Sequence, residues 1–499
     1  MSSGESLSEV GSLLKNLPRK RRSAEEVMDI LRQYASRDLD PRSGRMWAHS
    51  YETGLEDVVA VAREAYLAFV DKTMLDFTVY PSILRMENDV VAMVASLLSG
   101  DERTVGTFTY GGTESIILAV KAAREHYRHV RKGPEPPEMV LPSTAHPAFY
   151  KAAEYLDLKV VKVPVEPESL RADPEAVNEA VGERTALIVG SAPNYPYGTV
   201  DPIRALSEIA EDKRVWLHVD ACIGFILPFF RKLGARVPDF DFSVPGVSSI
   251  SVDLHKYGYA PKGASLVLYR SAELRLHHIY VNASWPGYPL VNTVVLSTRS
   301  AGPLAAAWAL LNYLGEEGYL ELARRALTTK EELLKGLPEI DFRVLGKPEP
   351  ESSILAFTSR ELNLFLLAEA VGKKGWYIQV QPGSRQLKVP PSIHLTISPA
   401  HDRVVKAFLS DLAMAAEEVK QAPGTGAEEL VAATKVDKIK LEELEQALPL
   451  LLEAIGIGEG RLSGEMALIN ELIHLLPPET VEFVFKHAVS ELFRPTRRA

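Results

Sequence analysis

One cysteine, Cys222, in 499 residues leaves no intramolecular disulfide to form, which suits a reducing compartment and makes this residue read as a small packed one. No window holds about 18 uninterrupted apolar residues, so a membrane-spanning helix is not expected. The opening MSSGESLSEVGSLLKNLPRKRR also lacks the apolar stretch of a secretion signal, and a cytoplasmic protein is the expectation. Positive charge is in deficit, since 56 Lys and Arg against 66 Asp and Glu leave a formal charge of −10, which argues against general nucleic-acid binding. The run Arg19, Lys20, Arg21, Arg22 is short enough to be a solvated loop. A G-x-x-x-x-G-K-[ST] phosphate loop is missing, and no G-x-G-x-x-G follows the first strand. The twelve histidines show no ligand spacing, so no metal site is expected, and no period of repeats suggests a solenoid.

The composition has an ordinary globular balance, 46% apolar and 24% charged residues, in a chain long enough for a large α/β domain with smaller segments at both ends. Ser23 followed by Glu26 is a capping-box pattern opening the helix EEVMDILRQYA, and helical spacing continues through DVVAVAREAYLAFV and NDVVAMVASLLSG. From about residue 105 to 270, short apolar runs (MVLP, KVVKVPV, TALIVGSAP, RVWLHVD, SSISVD, ASLVLY) alternate with amphipathic helices, predicting a largely parallel sheet covered on both faces. The expected division is a helical arm over 1–100, a large cofactor-binding α/β domain over 101–303, a connecting helix and small α+β domain over 304–422, and a linker (PGTGAE) with a helical tail over 423–499.

Four patterns in one order each supply a part of a pyridoxal 5'-phosphate site. Gly111 and Gly112 precede a helix beginning near Thr113, where close backbone approach and free first-turn amides favour a phosphate. His146, between the strand MVLP and a helix, is placed to lie flat on a cofactor ring. Asp220 ends the strand RVWLHVD; there it either caps the next helix or, facing the crevice, keeps a pyridinium nitrogen protonated. Lys256, in SSISVDLHKYGYAPKG, comes after a strand and directly after His255, and burial near another cation is expected to lower its pKa so that a neutral amine can form an imine.

These stretches, with DPRSGRMWAHSYETG, RMENDVVAMVASLLSG, GSAPNYPYGTVDPI, LGEEGYLELAR and KKGWYIQVQ, resemble the sphingosine-1-phosphate lyase branch of the group II pyridoxal-dependent decarboxylases over nearly the whole chain. The resemblance implies an aspartate-aminotransferase-like fold (fold type I of the pyridoxal phosphate enzymes), a homodimer, a small-molecule amine as substrate, and Lys256 as the Schiff-base lysine. It also implies Asp220 on the pyridine nitrogen, His146 stacked on the ring, Asn194 beside the cofactor, and Gly112, Thr113 and His255 at its phosphate. Thr298, in STRSAG, would reach that phosphate from the neighbouring subunit. Tyr51 and Lys262 would approach a phosphate on the substrate, with Asp76 standing where the family has a histidine. Further departures are Tyr110 before GGTES, Tyr197 in the SAP loop, a lone Gly224 after HVDAC, and Leu254 before the His-Lys pair. The implied reaction is retro-aldol cleavage of a phosphorylated long-chain amino alcohol; amino-acid decarboxylation is the alternative, kept open by Asp76.

Overall fold

The computed structural model describes residues 17–36, 38–347, 351–434, 457–458, 461–462 and 466–493. The N-terminal arm carries α1 (Ala24–Ala35), whose start is closed by the expected capping box. Ser23 Oγ accepts from the Glu26 amide at 3.1 Å, and Glu26 Oε2 accepts from the Ser23 amide at 2.7 Å. None of its residues is buried. Two further helices, α2 (Glu56–Phe69) and α3 (Pro81–Leu97), lead to the main sheet.

That sheet has seven strands: β1 (Val105–Thr109), β2 (Glu138–Pro142), β3 (Lys159–Val163), β4 (Thr185–Ser191), β5 (Trp216–Asp220), β6 (Val247–Asp253) and β7 (Ser265–Tyr269), in the order β1-β7-β6-β5-β4-β2-β3. Strands β6, β5, β4, β2 and β3 are parallel, while β7 runs antiparallel to both β6 and β1. β4, β5 and β7 are buried at every residue, because helices cover both faces and leave no side for polar alternation. The helices are α4 (Gly112–His126), α5 (Ala148–Leu156), α6 (Pro174–Ala180), α7 (Ile203–Lys213), α8 (Leu227–Lys232) and α9 (Ala272–Leu276). This is the aspartate-aminotransferase-like architecture.

A short hairpin, β8 (Tyr280–Asn282) with β9 (Leu290–Asn292), precedes α10 (Gly302–Glu339), which packs along α2 and α3. The helix breaks at Gly315, whose φ of 54° separates the long helix from its successor. Beyond it lies a four-stranded antiparallel sheet, β10 (Arg343–Val344), β11 (Ile354–Thr358), β12 (Gln379–Gln381) and β13 (Ser392–Thr396), with α11 (Leu364–Lys373) and α12 (Val405–Lys420). The PGTGAE stretch is tied down. Helix α13 (Ala427–Thr434) begins inside it, Thr425 Oγ1 donates to Glu471 at 2.7 Å, and Ala427 packs with Leu472, Leu475 and Leu476. Residues 1–16 of the opening segment and 435–456 of the expected tail lie outside the described residues. Among the described residues no helix is long and apolar enough to cross a membrane.

Candidate active site

The side chains picked out in the sequence converge where β5 and β6 end and α4 begins, at the carboxyl edge of the parallel strands, the usual ligand crevice of an open α/β sheet. Lys256 lies in the turn leaving β6. The His255 amide donates to Ala264 O at 2.9 Å and the Ala260 amide to Leu254 O at 3.0 Å, so the turn is held from both sides. Lys256 Nζ sits 2.8 Å from Asp253 Oδ2. Asp253 also accepts from Ser265 Oγ at 2.5 Å and lies 3.7 Å from His255 Nε2.

This corrects the expected charge state. Burial pushes the Lys256 ammonium down, but the adjacent Asp253 carboxylate outweighs it and holds the pKa well above the usual lysine value. Burial in turn pushes Asp253 up, and Lys256 and His255 pull it below the ordinary carboxylate range. The free lysine is therefore an ammonium in an ion pair. His255, lowered by burial despite Asp253, keeps a neutral ring whose Nδ1 lies 2.9 Å from Ala264 O.

Asp220, 6% exposed, accepts the Cys222 amide at 3.1 Å and Ser251 Oγ at 3.4 Å, both on Oδ1. Cys222 is buried, as expected of a packed residue, yet it forms part of the site wall. A Cβ built on Gly112 would come within 2.8 Å of Cys222 Sγ and of both Asp253 carboxylate oxygens. The start of α4 thus lies directly on the floor that holds Lys256, at a distance only glycine permits. Gly111, with φ of 135°, turns the chain into the helix. The Gly112 and Thr113 amides have no backbone acceptor among the described residues, whereas the Glu114 and Ser115 amides bond Gly111 O. Two free amides at a helix N-terminus form an anion cradle.

His146 stands at the opposite wall. Its Nδ1 accepts the Ala148 amide at 3.2 Å, and burial keeps the ring neutral although Asp220 opposes the shift. Its edge meets Tyr195 with 6.3 Å between centroids. Tyr195, which sequence reasoning did not single out, stacks on His394 at 4.4 Å and donates to Gln379 Oε1 at 2.7 Å. Burial and the neighbouring Tyr51 push its phenol up to about 12. Tyr51 packs edge-on to Tyr257 at 5.2 Å and presents its face to Lys262 Nζ, 5.0 Å from the ring centroid. Burial, with repulsion from Lys256, lowers the Lys262 ammonium.

Three predicted residues stand apart from this cluster. Asn194 uses both amide hydrogens on other chain groups, donating to Leu170 O at 3.1 Å in the segment before α6 and to Thr199 Oγ1 at 2.7 Å in its own loop. Its Oδ1 accepts the Tyr197 amide at 3.1 Å, so Asn194 shapes the loop and has no donor left for a cofactor. Asp76 is exposed and caps its own turn, accepting from the Thr78 amide at 2.9 Å and Thr78 Oγ1 at 2.5 Å; no described contact joins it to Tyr51 or Lys262. Thr298 is exposed, on a segment held by Glu114, which accepts the Val295 and Leu296 amides at 2.9 and 3.0 Å.

A lysine paired with a buried carboxylate, a second carboxylate ending the neighbouring strand, a neutral histidine and an anion cradle together fit pyridoxal phosphate. The pyridoxal-dependent decarboxylase conserved domain matches residues 18–358, and the chain belongs to that family, whose cofactor is pyridoxal phosphate. Among individual relatives, the chain is 42% identical over 372 residues to a sphingosine-1-phosphate lyase of Arabidopsis thaliana, covering 73% of this chain and 66%, just under two thirds, of that protein. It is 36% identical to the solved Burkholderia pseudomallei sphingosine-1-phosphate lyase, with a TM-score of 0.77 over 86% of this chain and 97% of that one. A probable L-tyrosine/L-aspartate decarboxylase of Methanothermobacter thermautotrophicus is 34% identical over 70% of this chain and 93% of that protein.

Proposed function

We propose that this protein is a pyridoxal-phosphate-dependent carbon–carbon lyase acting on a phosphorylated long-chain amino alcohol of the sphingosine-1-phosphate type. It divides the substrate into an aldehyde and a phosphoethanolamine-type product. The observation that carries this reading is the Lys262–Tyr51 pair: a second cation, over an aromatic face, in the same electrostatic environment as Lys256. A substrate whose amine is held at Lys256 needs such a cation for a phosphate two carbons away. The named lyase relatives support the same class.

Bound pyridoxal phosphate supplies a sink for the electron pair of the breaking bond. The chain does the rest. Lys256 Nζ would hold the cofactor and, when free of it, would take the proton of the substrate hydroxyl. Asp220, with Oδ1 held by Cys222 and Ser251, would keep the ring nitrogen protonated. His146 would cover the ring face, while the Gly112 and Thr113 amides and His255 would meet the cofactor phosphate. Tyr51, whose phenol is raised by burial, stays neutral and can donate to the substrate phosphate.

We further infer a homodimer in a reducing, cytoplasmic setting, in which Asp76 and Thr298, both exposed in their own chain, serve the second copy's site. Helix α1 supports this: Val27, Met28, Leu31 and Tyr34 are exposed and uncovered. So does the exposed group of Phe77, Val79, Val281 and Val291 on the Asp76 loop and the β8–β9 hairpin. The division at residues 100, 303 and 422 remains our proposed domain scheme; the separate sheets before and after α10 support it.

The test is a substrate panel with product identification. Release of aldehyde from a phosphorylated long-chain base is the expected result. Decarboxylation of an amino acid without that cleavage would replace the lyase reading with the carboxy-lyase one, which the 34% identical decarboxylase relative favours.

A further inference from the structure

Asp220 is the last member of a hydrogen-bonded row whose earlier members, Trp216, Ser249 and His218, have no part in the proposed chemistry. Trp216, His218 and Asp220 occupy alternate positions of β5 and so share one face of the sheet. Ser249 and Ser251 lie opposite them on β6, with His218 paired to Ser249 and Asp220 to Ser251 in the strand register. Trp216 Nε1 donates to Ser249 Oγ at 2.8 Å, and Ser249 Oγ lies 2.8 Å from His218 Nδ1. On the other side of the ring, His218 Nε2 lies 3.2 Å from Ser251 Oγ, which reaches Asp220 Oδ1 at 3.4 Å. His218, Ser249 and Ser251 are completely buried, and Phe149 from α5 closes the row edge-on at 5.8 Å from His218.

The direction of the row is set by its first member. An indole N–H only donates, so Ser249 Oγ accepts from Trp216 and has its own hydrogen to give. Among the described residues its remaining side-chain partner is His218 Nδ1, which must then be the unprotonated nitrogen. The hydrogen of the neutral ring sits on Nε2 and goes to Ser251 Oγ, leaving the Ser251 hydroxyl hydrogen for Asp220 Oδ1. The opposite tautomer would put two donors on Ser249 and leave its buried hydroxyl hydrogen without an acceptor, which is costly. Burial holds His218 down to about 4, consistent with a neutral ring.

We propose that Ser249, His218 and Ser251 are positioning residues that deliver one oriented hydrogen bond to Asp220 Oδ1, fixing the orientation of the carboxylate that would meet the cofactor ring nitrogen. The inference rests on the assignment of Asp220 made above. Removing the last donor should cost about tenfold in turnover, the lower end for one hydrogen bond to a charged group.

The row is tested first without cofactor. In the cofactor-free protein labelled with ¹⁵N-histidine, the His218 resonances, assigned by their loss in His218→Gln, should show Nε2 protonated and Nδ1 bare at pH 7. An Nδ1-protonated or doubly protonated ring would overturn the proposal. In the holoenzyme, Ser251→Ala should lower kcat about tenfold with KM nearly unchanged and weaken pyridoxal phosphate binding in a fluorescence titration, Ser249→Ala should act in the same direction more weakly, and Ser251→Thr should restore function. If Asp220→Asn is nearly inactive while both alanine variants match the parent in kcat and cofactor affinity, the row does no positioning. If Asp220→Asn is fully active, the ring-nitrogen assignment itself fails and the proposal falls with it; the tautomer would then report a purely structural row.

Discussion

Gly112→Ala is the most direct test of how α4 meets the catalytic floor. The added methyl would stand 2.8 Å from both Asp253 oxygens and from Cys222 Sγ, closer than carbon packs against any of them. Asp253 is 2% exposed and tied to Lys256 at 2.8 Å and Ser265 at 2.5 Å, so it cannot retreat without loosening one of those bonds. Overpacking of this kind costs about 1–3 kcal/mol. Alanine's helix preference returns at most about 1 kcal/mol, and less at a first-turn position than in a helix interior. The net expectation is a loss of about 1–2 kcal/mol, with pyridoxal phosphate affinity lowered about tenfold because the free amides move with the helix. Urea unfolding of the cofactor-free protein and a fluorescence titration with cofactor measure the two. Gly372→Ala is the control: in the last turn of α11, with nothing within 4 Å of a built Cβ, it should leave stability unchanged or raise it by at most about 0.5 kcal/mol. If Gly112→Ala behaved like Gly372→Ala and bound cofactor normally, the packing of α4 against Asp253 would be wrong.

Lys256→Ala should abolish turnover and the visible absorbance of lysine-bound cofactor, and, by leaving Asp253 buried without its partner, lower stability by about 3 kcal/mol. Full activity, or no change in the unfolding midpoint, would count against the ion pair. Lys262→Ala should raise KM for a phosphorylated amine about 10- to 100-fold, the loss expected for one charge-assisted phosphate contact, with kcat little changed. An unchanged KM would remove Lys262 from substrate recognition. The folded pKa values of His218, His394 and His401 are each depressed to about 4 by burial, so below about pH 6.5 the unfolded chain binds protons that the folded one refuses. Stability should therefore fall as pH drops from about 6.5 toward about 4, by up to about 1.4 kcal/mol per pH unit for each histidine. Thermal unfolding that stayed flat from pH 7 to 5 would contradict this.

Much of the framework could be read from local pattern, since its signals are local. The Ser23–Glu26 capping box and the apolar runs of β2 to β7 each state their own conformation in a few residues. β1 was not read as a strand. VGTFT is short, contains a glycine and shows no alternation, and it is a strand through its antiparallel pairing with β7, in which Val105 stands opposite Tyr269 and Thr109 opposite Ser265, far along the chain. Within the site, Lys256, Asp220, His146 and Gly112 were legible from their places at strand ends and a helix start. Asp253 was visible three residues before Lys256, but sequence cannot say whether such a carboxylate is solvated or buried against the amine. Tyr195 enters through its stacking on His394 of the second sheet, a contact between segments far apart in the chain. Nor does the place of Asn194 next to Tyr195 announce its partners: Leu170 and Thr199 take its amide hydrogens.

The charge state of Lys256 shows how one distance decides between two opposing influences. Burial favours a neutral amine, while Asp253, at 2.8 Å, favours the ammonium and wins. Holding two ions in so dry a wall sacrifices the hydration of both, and the hydroxyl of Ser265 offsets only part of that on the Asp253 side. Such a pair is poor at stabilising a fold and good at fixing a geometry. It keeps the flexible lysine stem from folding away and holds Nζ where His146, Cys222 and Tyr51 all feel its charge. An ammonium cannot attack a carbonyl, so the free lysine must shed a proton before it can carry the cofactor. The carboxylate that suppresses the amine is also the nearest acceptor for that proton, and the transfer can run along an existing 2.8 Å contact without water entering the wall.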